Sequence, residues 1–201
     1  MADNFVTNSG SGGSTFSSDD IAGIHFPRLK LIHGVDGTNS GDVSSTNGLP
    51  VTAGGYQNRI SQTPTISISP AYTAKDAIGG LLTFANAVRV SGGTGILQTV
   101  TIVDKGQQMA SIDLVLFDQT FTAPTDNAIF APTDAELANV IAVVPMSNYS
   151  DFSTNSVAAR GALGIAFEAV GTSIFGALVS RGTPTYTSTT DIIVILGILQ
   201  D

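Results

Sequence analysis

ILQTVTIV, residues 96–103, alternates with a period of two. Ile96, Gln98, Val100 and Ile102 take one side of an extended chain, and Leu97, Thr99, Thr101 and Val103 take the other. This is a strand signature, and Asp104-Lys105-Gly106 after it predicts a hairpin-like turn. Working outward, the same texture covers Leu81–Val90, Ser111–Phe117, Val140–Met146, Ile165–Val170, Ser173–Ser180 and Ile192–Leu199. TISIS, residues 65–69, predicts a further short strand closed by Pro70. Ser147 to Arg160 reads as polar loop, and Gly92-Gly93-Thr94-Gly95 as a turn, since no helix pattern follows to make it a phosphate cradle. One short helix is predicted over Pro132–Asn139. There Thr133 can cap and Glu136 stands three residues on. With no strand–helix–strand rhythm, the expected fold is all-β: a jelly-roll-like antiparallel β-sandwich with one short helix.

The first seventy residues have a different character. MADNFVTNSGSGGSTFSSDD, residues 1–20, is a polar tail. Ile21 to Ile32 is the single compact apolar group, with Pro27 arguing for an extended or edge segment. Gly34 to Pro50 is turn chemistry throughout. Ordering each backbone residue costs about 1–2 kcal/mol, and a Gly/Ser/Thr/Asn segment recovers little of it by self-burial. Residues 1–70 are therefore expected to be an extended N-terminal arm that docks on partner subunits, and residues 71–201 the β-sandwich. The anchors the arm offers are Ile21, Ile24, Phe26, Arg28, Leu29, Leu31 and Ile32.

Charged residues make up 12% of the chain, about half the usual ~25%. The net charge of −8 argues against binding nucleic acid through phosphates. No apolar run reaches the ~18 residues of a membrane span, and nothing near Met1 resembles a signal peptide. The chain has no Cys, which fits synthesis in a reducing cytosol.

Chemistry is sparse. His25 and His33 would lie ~26 Å apart along an extended chain, too far to share a metal. Asp36 and Asp42 lack the spacing of a calcium loop. Asp113 and Asp118 fall on opposite faces of one strand, so edge protection or a link to an arginine such as Arg89 is expected of them. The expectation is no enzyme, no catalytic residues, no cofactor and no metal. Phe84, Phe117, Phe167 and Phe175 sit in strand patterns and read as core. Tyr149 and Phe152 lie instead in the polar loop SNYSDFSTNS: they are either interface or sugar-stacking contacts, or aromatics that pin their own loop.

Three segments carry a family resemblance. HFPRLKLIHGVDGTNSGDVSSTNGLPV, residues 25–51, resembles a recurrent segment of tailed-bacteriophage structural proteins. LVLFDQTFTAPTDNAIFAPTDAELANVIAVVP, residues 114–145, resembles the strand, T-D-N-A, short helix, strand segment of the same group, and TDIIVILGILQD resembles its ending. The resemblance implies a virion component of the capsid decoration (cement) type: a homotrimer on the capsid surface, made in the host cytoplasm. It would clamp neighbouring major capsid protein subunits and stabilise the head. A neck, tail or receptor (carbohydrate)-binding virion component is the alternative.

Overall fold

The computed structural model describes residues 3–6, 15–22, 24–27 and 56–200. The chain divides into two units, Met1–Ala53 and Gly54–Asp201. In the first, β1 (Asp3–Val6), β2 (Thr15–Ile21) and β3 (Ile24–Pro27) form an antiparallel sheet in the order β1-β2-β3. Strands therefore stand where the sequence reads as a polar tail. Backbone N–H and C=O groups supply such a ladder whatever the side chains, so composition alone does not reveal it.

The second unit begins before the expected boundary at residue 71. Tyr56–Gln62 forms β4, an edge strand of its larger sheet, within a stretch whose irregular sequence predicts no strand. The predicted TISIS strand is not formed. Ile66 instead drops into the core, and the Ser67 N–H donates to the Tyr72 hydroxyl at 2.8 Å.

Nine further strands and one helix follow. They are β5 (Ala77–Phe84), β6 (Thr94–Asp104), β7 (Ile112–Phe117), α1 (Asp134–Leu137), β8 (Val140–Met146), β9 (Tyr149–Asp151), β10 (Ser156–Arg160), β11 (Ile165–Glu168), β12 (Ile174–Ser180) and β13 (Ile192–Gln200). One sheet runs β4-β13-β6-β10-β9, with β11 also pairing β6, and the other runs β5-β12-β7-β8. Every strand pair is antiparallel.

The pairing is nested: β4 with β13, β5 with β12, β6 with β10 and β11, and β7 with β8. The chain is thus one long antiparallel ribbon folded over to make two sheets. Its consequence is that β6 does not turn back on β7 as a hairpin, contrary to the reading of Asp104-Lys105-Gly106. β7 belongs to the opposite sheet, and β6 finds its partners late in the chain.

Both sheets give their inner faces to one core. The strict alternation read for β6 breaks at a register shift opposite Gly197/Ile198, which turns Leu97 rather than Ile96 inward with Val100 and Ile102. These three meet Leu114, Leu116 and Leu178, and Ile192, Val194, Leu196 and Ile198 of β13 are fully buried among them. An antiparallel β-sandwich with one short helix is therefore what the alternation predicts and what forms. A second, smaller cluster lies on the outer side of the four-stranded sheet. Phe117 stacks on Phe121 with ring centroids 4.1 Å apart, and Val115, Ala177 and Val179 join them. The segment after β7 lays Phe121, Ala123 and Phe130 over that face.

Helix α1 follows its sequence signature. The Thr133 hydroxyl accepts the Glu136 N–H at 3.3 Å, and the Glu136 carboxylate accepts the Thr133 N–H at 2.8 Å. The same carboxylate reaches the Thr122 N–H at 2.7 Å and ties the helix to the covering segment.

Candidate functional site

Surface chemistry concentrates on the outer face of the larger sheet. Alternation places Ile193, Ile195 and Leu199 of β13 there, opposite the buried inner set. Register then builds two apolar rows across the strands. Ile193, Val103 and Val157 make one, and Leu199, Ile96 and Ala166 make the other. Apart from exposed Ala166, these side chains are only half-buried. Between the rows lie Thr99, Thr101 and Gly197. A water-facing side of an antiparallel sheet is normally polar, so aliphatic rows at both ends mark this face as unusual.

The second row borders a cleft of about 640 Å³, lined by Thr94, Gly95, Ile96, Ala166, Phe167, Glu168, Leu199 and Gln200. Its floor depends on Gly95. A Cβ there would stand 2.7 Å from Phe167 Cζ, so only glycine lets the Phe167 ring lie across the β6 backbone. The walls are apolar, Glu168 contributes the one formal charge, and the Gln200 amide is committed to the Asn86 carbonyl. Such a cleft offers apolar burial with one anionic group at its rim.

The hairpin of β9 and β10 separates its two aromatics. Phe152, at the turn, is 60% exposed, and its N–H donates to the Asn155 carbonyl at 2.9 Å. Tyr149 packs against the core, and burial pushes its hydroxyl pKa well above the ordinary phenol value, with the nearby Asp104 charge adding to the rise. Tyr149 thus pins the hairpin, and Phe152 alone is presented to solvent.

Ile21 closes β2, and Ile24 and Phe26 lie in β3. Arg28, Leu29, Leu31 and Ile32 fall outside the described residues, as do His33, Asp36 and Asp42. Asp113 takes an arginine partner, but it is Arg181, whose Nε donates to Asp113 Oδ2 at 2.8 Å, and not Arg89. The cleft residues Ile96, Phe167, Glu168 and Leu199 do not stand out in the sequence, where all but Glu168 read as ordinary strand hydrophobes. The available signal is that β13 is apolar on both sides.

Polar groups form two clusters, the first half-buried and the second buried. In the first, Asp126 accepts from the Tyr72 hydroxyl at 2.6 Å, from the Ser67 hydroxyl and from the Gly79 N–H. In the second, Asp104 ends β6 facing inward and accepts the Met109 N–H at 2.7 Å. Burial raises its pKa, the Met109, Gln108 and Gly106 N–H groups oppose the rise, and the Asp191 charge adds to it. Asp191 in turn accepts the Ser188 N–H at 2.9 Å and the Thr187 N–H at 3.1 Å. Gly106 sits between the two acids. A Cβ there would be 3.1 Å from both Asp191 Oδ2 and the Tyr186 ring.

Among the described residues no group of three or more His, Cys, Asp or Glu is placed to hold a metal, and no helix is long and apolar enough to cross a membrane. No protein-family model and no curated protein matches the chain.

Proposed function

We propose that the protein is a structural component of a tailed-phage virion, a capsid cement or decoration protein that stabilises the head by burying area against major capsid protein subunits. The observation that carries this reading is the outer face of the β4–β9 sheet. Ile193, Val103, Val157, Ile195, Leu199 and Ile96 place aliphatic surface where a solvated sheet would carry polar groups. An assembly that covers this face gains roughly 25 cal/mol for each Å² of apolar area removed from water. The nested strand order supports the finer fold assignment. Pairing β4 with β13, β5 with β12, β6 with β10 and β7 with β8 is compatible with a jelly roll, a fold used in capsid domains. The resemblance of residues 25–51 and 114–145 to phage structural segments supports the virion assignment, and self-association as a homotrimer belongs to the same proposal.

Mass action describes the mechanism. A protein that binds only the assembled lattice stabilises that state alone. Particles assembled without the protein should form but release genome at lower temperature, and adding the purified protein should restore the wild-type release temperature. Its copy number should be in the hundreds per particle. Normal particle stability combined with failed host attachment would place the protein at the neck or tail. Exposed Phe152, at the tip of a polar hairpin, favours that second, receptor- or carbohydrate-binding reading.

A further inference from the structure

Among the described residues, four of the five buried side-chain oxygens without a partner belong to residues that neighbour one another at one end of the sandwich: Asp104 Oδ1, Tyr149 OH, Ser156 Oγ and Tyr186 OH. Asp104 and Ser156 are register partners on β6 and β10, and both are fully buried. Tyr149 stands on β9, which pairs with β10 on the far side. Tyr186, 1% exposed, approaches from the segment before β13. A Cβ on Gly106 would lie 3.1 Å from the Tyr186 ring and 3.5 Å from Asp104, which places these two beside each other. The Asp104 charge also acts on both phenols. Leaving four such groups unpaired in a low-dielectric interior is expensive, and native proteins avoid it.

We propose that these four oxygens bind one internal water molecule, which joins β6, β9, β10 and the Tyr186 segment into a single hydrogen-bonded joint. The valences match. The Tyr149 and Tyr186 hydroxyls each donate to the water oxygen. The water donates one hydrogen to Asp104 Oδ1 and the other to Ser156 Oγ. Buried waters typically make about three such bonds to otherwise unsatisfied groups. Small cations fit less well. Three of the four groups are neutral hydroxyls whose own hydrogens need an acceptor, and Asp104 offers a single free carboxylate oxygen.

A high-resolution crystal structure of the unaltered full chain is the direct test, and it does not depend on any variant folding. The expected result is one density peak within hydrogen-bond distance of all four oxygens. An empty site, with hydroxyls bonded directly to Asp104, would overturn the proposal. So would a peak at metal–oxygen distances together with a melting temperature that rises on adding sodium or calcium. Ser156→Ala and Tyr186→Phe supply the energetic test. Each should lower the folding equilibrium constant about fivefold. Because they share one water, the double variant should lose clearly less than the product of the two factors. Fully multiplicative losses would count against a shared water.

Discussion

The Tyr72 hydroxyl donates to Asp126 Oδ1 at 2.6 Å, a bond that spans 54 positions of sequence. It fastens the segment between β4 and β5 to the segment that covers the outer face of the β5–β8 sheet. The Gly79 N–H and the Ser67 hydroxyl complete the carboxylate's shell, and Asn127 Nδ2 adds a bond to the Pro70 carbonyl at 2.9 Å. Hydrogen bonds to charged groups are each worth about 1.5–3 kcal/mol. Asp126→Ala should therefore cost about 3 kcal/mol or more and Tyr72→Phe markedly less, read as shifts in the urea midpoint. Equal costs would show that the carboxylate is not the hub.

Gly79 is a backbone position with little room to change. Its φ is +75°, and a Cβ would stand 2.5 Å from Pro64 Cβ. Gly79→Ala combines left-handed strain with a steric clash, so a loss of about 2–4 kcal/mol is expected. Gly80→Ala, with open space around its Cβ, should melt close to the wild-type temperature.

Two acids should give pH dependences of opposite sign. The Thr122 and Thr133 N–H groups hold Glu136 down at about 2, from an ordinary value of 4.5. Its contribution is therefore present above about 4.5 and is lost as pH falls towards 2. Glu136→Gln should melt below wild type at neutral pH and converge with it in acid. Burial raises Asp104, so its contribution is fully present below its ordinary value of 3.8 and is lost as pH rises through the folded value. Asp104→Asn, which keeps an acceptor for the Met109 N–H, should thus gain on wild type between acid and neutral pH. Parallel melting curves across that range would contradict the assignment.

Neighbouring positions of β13 separate folding from assembly. Val194 is fully buried between the sheets and Ile193 is on the outer face. Val194→Asp should abolish soluble expression, because it buries an unpaired charge. Ile193→Asp should leave a folded chain with cooperative melting but lose particle binding. Unimpaired binding of Ile193→Asp would remove the outer face from the interface.

How much of this is legible in the sequence depends on which force shapes each element. β6, β7, β8, β12 and β13 announce themselves because they are short apolar or alternating runs bounded by turn residues, although β7 and β12 are buried on both faces. The α1 cap is legible for a local reason, since Thr133 and Glu136 satisfy each other within one turn. β4 is not legible. Tyr56–Gln62 is largely polar, buries Ile60 alone and is a strand because β13 offers it a ladder. β9 and β10 escape notice in the same way. The Arg181 partner of Asp113 lies 68 residues away, and no spacing rule connects them. Of the candidate surface, only the two-sided apolarity of β13 is visible beforehand. The cleft arises from register between strands distant in sequence.

The nested pairing also sets an order of events during synthesis. β4, at residues 56–62, has one sheet neighbour, β13, at residues 192–200. Its ladder bonds cannot form until nearly the whole β unit has left the ribosome. Until then the inner faces of β5, β6 and β7 have no complete opposite sheet to cover them. Non-local pairing of this kind folds slowly and leaves strand edges open to other chains. Yield in a fast-translating host should therefore be limited by aggregation of nascent chains, and slower expression at low temperature should raise the soluble fraction more than any stabilising surface substitution.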